Sequence, residues 1–140
     1  MQLGAIALAV SAGLMSVAVQ ASCPSEFSVF LRQFQDDELF RLAHVRFPVD
    51  LRYVDAAAVP EPQPRRRHVG RKDVVGLRLL SPPTTSMEAS RQLERDIRAV
   101  ARGGRVVRFT SPDSDAYVAE FWFARGKACW QLVRVIDTSL

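Results

Sequence analysis

The feature that most constrains the fold is a C-terminal hairpin whose side chains are apolar on both faces. Alternating patterns predict strands over residues 117–124 and 129–136, joined by a turn at 125–127. Alternation in the first strand places two apolar sets on opposite faces: one face has Tyr117, Phe121 and Phe123, and the other has Val118 and Trp122. A sheet that is apolar on both faces must be covered on both or must curl around other elements. We therefore expect a strongly curved sheet wrapped on helices, which would form a cone with a pocket.

Two helices are predicted ahead of the first strand. After a candidate N-cap at Ser25, one apolar stripe recurs at i, i+3, i+4 and i+7: Phe27, Phe30, Leu31 and Phe34. The acidic residues 36–38 favour a second helix start. From 45 to 53 apolar and polar residues alternate, which predicts a strand with one buried face. Pro48 lacks an amide donor, so this strand should be an edge or be bulged there. On this alternation Asp50 should face solvent.

The middle of the chain is predicted as a loop, a strand and a helix. Three prolines and a basic run indicate a Pro/Arg-rich loop over 56–72, and alternation predicts a short strand over 75–79. Ser86 can cap a helix whose apolar positions share one face: Ala89, Leu93, Ile97 and Val100. The glycine pair at 103–104 is typical of a helix end, and a strand should follow over 105–110.

The order of these elements predicts an α+β fold. A chain of 140 residues suffices for one domain and not for two. Helices grouped ahead of a run of antiparallel strands are typical of α+β packing. We expect one domain over residues 22–140, with a curved antiparallel or mixed sheet wrapped on the N-terminal helices and one mid-chain helix, as in a cystatin-like cone.

The first 21 residues are typical of a secretory signal peptide. They carry no Asp, Glu, Lys or Arg, so all 19 basic and 15 acidic side chains lie in the rest of the chain. An uncharged, Ala-rich run from Leu3 to Val19 precedes the small residue Ala21, after which we expect cleavage. The alternative is a retained membrane anchor. Export would place the protein in the periplasm or outside the cell and would set nucleic acid aside as a partner, despite the net charge of +4.

The two cysteines leave two alternatives open. Cys23 and Cys129 can form a disulfide, because compartments outside the cytosol are oxidising. Alternatively, Cys23 follows a short run of small residues and could be lipidated, which would make the chain an outer-membrane lipoprotein. Contact with a membrane is expected only in that second case.

Both ends of the mature chain resemble a known group of proteins. The first motif is Phe27-x-x-Phe30-Leu31-x-x-Phe34-x-x-Asp37-x-x-Phe40, followed by Phe47-Pro48. The second is Tyr117-Val118-x-x-Phe121-x-Phe123, followed by Trp130-x-Leu132-Val133 and Asp137-x-Ser139. Together they resemble small exported bacterial domains of unknown function that are similar to the nuclear transport factor two and ketosteroid isomerase cone fold. The resemblance implies a curved mixed sheet around a helix-lined cavity, and it implies no reaction.

No catalytic set is evident in the sequence. It has no glycine-rich phosphate loop, no nucleophile elbow and no metal-ligand spacing, so we expect no metal and no cofactor. Cone-fold enzymes place an Asp, Tyr or His inside an apolar pocket, where burial shifts its pKa. The candidates for polar residues in such a cavity are His44, Tyr53, Tyr117 and Asp137. Each could equally be a structural residue with a satisfied hydrogen bond.

Five cations within eight residues form the clearest candidate binding element: Arg65, Arg66, Arg67, Arg71 and Lys72. A solvated loop would explain them, and so would contact with an acidic surface, because the forked donors of arginine suit carboxylates and phosphates. The first hypothesis is therefore an exported, non-catalytic binding protein for a partner with an acidic surface or for a small apolar ligand. One form of it is an immunity protein against a secreted toxin. The alternatives are a small-molecule isomerase, dehydratase or hydrolase, and a lipid-anchored envelope protein.

Overall fold

A computed structural model describes residues 22–113 and 116–139 of the chain. The predicted signal peptide over residues 1–21 lies outside the described residues. The helices are α1 (Phe27–Asp36), α2 (Glu38–Ala43), α3 (Val74–Leu79) and α4 (Thr85–Ser90). The strands are β1 (Val45–Asp55), β2 (Gln63–Val69), β3 (Glu94–Val100), β4 (Gly104–Thr110), β5 (Val118–Arg125) and β6 (Trp130–Asp137). In the described part of the chain, no helix is long and apolar enough to cross a membrane.

All six strands join one curved, mixed sheet in the order β2-β1-β6-β5-β4-β3. The pairing of β1 with β6 is parallel, and the other four pairings are antiparallel. Strands β2 and β3, which are far apart in sequence, are therefore the two edges. The α+β class and the curved mixed sheet are as predicted, and β4, β5 and β6 match the three predicted C-terminal strands.

The concave face of the sheet is filled by aromatic side chains from α1. Phe30 and Phe34 are fully buried, and both pack against Phe123 of β5 with ring centroids 5.6 and 5.0 Å apart. Phe27 packs edge-on against Phe123 and Trp130. This is the stripe that the helical spacing predicted. These rings fill the space between α1 and the sheet, so the stripe forms core packing rather than the lining of a deep central pocket.

The predicted helix over 86–100 is wrong in its second half. The helix α4 ends at Ser90, and Gln92 takes a positive φ of 52°, which breaks the helix. Residues 94–100 instead form β3, an edge strand paired residue by residue with β4. The glycine pair turns the chain between these strands rather than ending a helix, and Gly103 supplies a φ of 75° that favours glycine. The stabilisation from seven cross-strand pairs with β4 outweighs the helical preference that the spacing of the apolar residues indicates.

Two mid-chain predictions are also wrong. The loop over 56–72 contains the strand β2, because only one of its three prolines, Pro64, falls inside the paired segment. The strand expected over 75–79 is the short helix α3. Asp73 caps this helix by accepting a hydrogen bond from the Gly76 amide at 2.8 Å. This helix has fewer than two turns, which is too short to show helical periodicity. Its few alternating apolar residues give the same pattern as a short strand.

The N-terminal elements follow the sequence more closely. Ser25 does not cap α1, which begins after Glu26 without a side-chain cap. Asp37 caps α2, accepting a hydrogen bond from the Phe40 amide at 3.0 Å, in line with the predicted second helix start. Strand β1 shifts its register against β6 between Val45 and Asp50, so the predicted bulge near Pro48 is confirmed.

A disulfide joins Cys23, just ahead of α1, to Cys129 at the start of β6. This confirms the first of the two alternatives for the cysteines. The bond uses the sulfur that a lipid anchor on Cys23 would need, so the lipoprotein alternative is not supported.

Candidate functional site

The three arginines of the basic run lie on β2, at the edge of the sheet, and each meets a carboxylate. Arg65 approaches Asp55 at 3.6 Å. Arg66 donates to Asp50 through Nε at 2.8 Å, and Arg67 forms an ion pair with Asp73, the cap of α3. The basic run is thus an edge strand fixed by ion pairs rather than a free loop. About half of the Arg65 and Arg66 side chains, 53% and 58%, stays exposed.

The other two cations follow β2 in the turn that leads to α3. The Arg71 guanidinium lies 4.8 Å from the ring centroid of Phe47, within the range of a cation–π contact. Lys72 is exposed, and it forms no ion pair with any residue in 22–113 or 116–139. All five predicted cations therefore lie along one edge of the molecule.

Asp50 holds three arginines together on the outer face of the sheet. Its carboxylate accepts hydrogen bonds from Arg66 at 2.8 Å, from Arg134 at 2.9 Å and from Arg52 at 3.2 Å. The prediction that Asp50 faces open solvent is wrong, because these arginines cover it and leave only 12% of its side chain exposed. Burial acts to raise its pKa, but the hydrogen bonds from Arg66 and Arg134 outweigh it and hold the pKa below the ordinary 3.8.

A groove of 460 Å³ runs beside this cluster, where β1 and β6 end and β2 begins. Its apolar lining comes from one residue of each strand: Val54, Pro64 and Ile136. Its charged lining comes from three arginines: Arg52, Arg65 and Arg66. Tyr53, Asp137 and Thr138 complete it, and we call this set the cationic groove. Apolar walls with cationic side chains suit an occupant that carries both apolar and acidic groups.

Two of the predicted cavity residues meet at the end of this groove. Tyr53 lies opposite Asp137 in the parallel β1–β6 register. Both also line a small cavity of 140 Å³ beside α3. Asp137 accepts a hydrogen bond from the Ser139 amide at 2.9 Å. Its charge, after burial as the larger cause, helps to raise the pKa of nearby Tyr117 to about 12. Tyr53 and Asp137 could together orient a small polar group in this cavity.

His44 lies elsewhere. It is buried at the end of α2, with its ring stacked on Phe40 at 4.0 Å and its Nδ1 2.7 Å from the Phe40 carbonyl oxygen. Its own carbonyl accepts a hydrogen bond from the Leu132 amide at 2.9 Å. The structure thus separates His44 from the other three candidates. Among residues 22–113 and 116–139, no group of three or more His, Cys, Asp or Glu side chains could hold a metal ion.

Comparison with solved structures places this architecture in a known fold. The chain is similar to a crystal structure of an NTF2-like protein from Bacteroides fragilis, with a TM-score of 0.55 and 15% sequence identity. The fold is NTF2-like. The match covers 82% of this chain and 47% of that one, so the chain spans about half the length of that protein. No protein-family model matches the sequence, and no curated protein matches it either.

Sequence reasoning missed two residues of the site on this NTF2-like sheet. Arg52 shares a face with Asp50 because the two are two positions apart on β1, and that spacing could have been used. Arg134 reaches Asp50 from β6, 84 positions away, and it also lies 5.4 Å from the Trp122 ring. Only the parallel β1–β6 pairing brings it there.

Proposed function

We propose that this NTF2-like chain is an exported, non-catalytic binding protein whose cationic groove takes up an acidic surface of a partner protein. One observation carries the proposal. Arg65 and Arg66 border an apolar groove at a sheet edge while about half of each side chain stays exposed. The Nε and Nη2 groups of Arg66 donate to Asp50, so a carboxylate from outside the molecule would accept hydrogen bonds from the remaining N–H groups of Arg66 and from Arg65.

The distribution of charge supports an acidic partner. Residues 45–73 contain seven Lys and Arg side chains and four Asp and Glu side chains, a local net charge of +3 that lies in β1, β2 and the turn after β2. A second excess of +4, from six Arg side chains against two acidic ones, lies over residues 91–108. The first excess steers acidic partners toward the groove, and this steering weakens as salt rises.

One form of this function is an immunity protein that blocks a toxin delivered by a rival cell. It would require export, a binding surface and no chemistry of its own. An isomerase, dehydratase or hydrolase would instead use the cavity beside Tyr53 and Asp137. Tyr53 and Asp137 also line the cationic groove, so an enzyme and a binding protein would use overlapping surfaces.

The test is capture of a partner from periplasmic and culture extracts by the mature chain. The variant Arg65→Gln/Arg71→Gln/Lys72→Gln removes three charges at the edge while leaving the Asp50 cluster and the α3 cap intact. The matched control, Arg32→Gln/Arg108→Gln/Lys127→Gln, removes three exposed charges elsewhere. We expect the wild type and the control to retain the same acidic protein and the edge variant to lose at least tenfold in affinity. Equal retention by all three proteins would contradict the proposal.

A further inference from the structure

The strand β2 has one long side that no strand of the sheet pairs with. It lies at the edge of the sheet, and its other side pairs with β1 over seven residues, from Val49 opposite Val69 to Asp55 opposite Gln63. This register contains no bulge. A regular, paired strand keeps the backbone N–H and C=O groups of its outer side aligned for another strand.

Two of the usual protections of an edge strand, a bulge and a very short length, are missing from β2. Proteins shield edges with bulges, prolines, very short strands or charges. The strand has one proline, Pro64, at its second position, so residues 65–69 all carry an amide donor. Its remaining protection is the run of arginines. Like charges would face each other if two copies of β2 paired, which disfavours a dimer through this edge.

The same arginines favour a partner strand of opposite charge. Alternation along β2 places Arg65 and Arg67 on one face and Arg66 on the other. An incoming strand with acidic residues would therefore meet a guanidinium on either face. The cationic groove begins at Pro64 and Arg65, so an apolar side chain of that strand could enter it. Backbone hydrogen bonds would supply affinity, and the charges would supply specificity.

The opposite edge provides an internal comparison. Strand β3 is also an exposed edge with an unbroken seven-residue register. Its four charged residues balance: Glu94 and Asp96 against Arg95 and Arg98. Within its own length β3 thus offers an incoming acidic strand no net positive charge, whereas β2 offers three arginines and no acidic residue.

We propose that β2 is an acceptor strand, to which an extended, acidic segment of the partner adds as a seventh strand of the sheet. This inference rests on the proposed function, since it specifies how the acidic partner is held. It adds a requirement that docking of an acidic surface does not have, because the partner must offer free backbone amides along an extended segment.

The probe is an acetylated eight-residue peptide of alternating glutamate and valine, together with the same peptide N-methylated at every residue. The two share side chains and charge, but the second has no amide donors. We expect fluorescence anisotropy with the mature chain to show binding of the first peptide and at least tenfold weaker binding of the second. Hydrogen exchange should slow on binding at the amides of residues 65–69 that face the free side of β2, which alternate along the strand, while exchange at residues 94–100 stays unchanged.

The outcomes separate this inference from the proposed function. Equal binding of both peptides, without slower exchange at residues 65–69, would overturn strand addition and leave an acid-binding groove. Failure of both peptides to bind, while the wild type still captures its partner, would also overturn strand addition alone. Failure of the peptides together with failure of the partner capture would overturn both.

Discussion

Asp50 is the residue that organises the outer face of the sheet at the site. Its carboxylate receives Arg52 from its own strand, Arg66 from β2 and Arg134 from β6, and so it ties three neighbouring strands together. Each of these hydrogen bonds is charge-assisted and worth more than a neutral one. The cluster holds Arg66 at the rim of the cationic groove, so a structural residue sets the position of a residue proposed for binding.

Replacing Asp50 with Asn should lower the free energy of unfolding by about 1–3 kcal/mol, because three arginines lose their shared carboxylate. Urea unfolding at pH 7 would measure this loss. The control is Asp55→Asn, which removes the more exposed partner of Arg65 and should change stability by less than about 0.5 kcal/mol.

The same carboxylate gives a prediction for pH. The folded pKa of Asp50 lies below its ordinary value, so its contribution is present above about pH 4 and is lost as the pH falls through the folded pKa. The stability difference between the wild type and Asp50→Asn should shrink at low pH. A difference that stays constant from pH 6 to pH 2 would contradict this assignment.

At the scale of single elements, short segments are where local patterns mislead. Helix α3 has six residues, and its apolar positions alternate like those of a strand. Its identity comes from the cap at Asp73, which Arg67 holds in place from β2. Strand β3 carries a helical spacing of apolar residues, and its identity comes from pairing with β4. In both elements the deciding contacts involve residues on a neighbouring element.

Gly76 shows how tightly α3 packs against β2. A Cβ at this position would lie 2.6 Å from Asp73 Oδ2 and 2.8 Å from Val69 Cγ1. Replacing a helical glycine with alanine ordinarily stabilises a helix by about 0.5–1 kcal/mol. Here we expect Gly76→Ala to destabilise the protein by about 1–3 kcal/mol, since the new methyl group must displace the capping carboxylate or a buried valine.

The comparison with Gly70 makes that prediction specific. A Cβ on Gly70 would meet nothing within 4 Å. The free energy of unfolding of Gly70→Ala, measured by thermal unfolding, should therefore stay within about 0.5 kcal/mol of the wild-type value. Similar stabilities for the two variants would show that α3 does not pack on β2 in this way.

At the scale of the whole molecule, the disulfide joins the start of the described chain to the start of β6. Cys23 and Cys129 are 106 residues apart, so the bond closes nearly all of the described chain into a loop. Constraint of the unfolded chain by a loop of this length is nominally worth about 4–5 kcal/mol. The bond is compatible with an exported protein, because oxidising compartments preserve such bonds.

Removing the disulfide should therefore lower stability globally. We expect the free energy of unfolding of Cys23→Ser/Cys129→Ser, measured in urea, to be about 2–5 kcal/mol lower than that of the wild type. A reducing agent should lower the urea midpoint of the wild type and leave that of the variant unchanged. The intact mass of the wild type should show two hydrogens fewer than the dithiol and no lipid adduct. Two free thiols, or a lipid on Cys23, would contradict the pairing.

The sequence alone determined the elements whose patterns are long and whose partners are close. Three patterns predicted these elements: the aromatic stripe of α1, the alternation of β1, and the hairpin of β5 and β6 that is apolar on both faces. The same hairpin predicted the curved sheet on which the NTF2-like fold depends. Periodicity over eight or more residues suffices there, because burial of one face dominates the energy of the element.

Only the tertiary structure decided the edges of the sheet and the site on them. Whether residues 63–69 form a loop or a strand depends on β1, and whether Asp50 is exposed depends on Arg66 and Arg134, which are 16 and 84 positions away. The basic run was visible in the sequence, but its place on an unpaired edge beside an apolar groove was not. Strand pairing and ion pairs between distant segments carry no local signature, so they must be read from the folded chain.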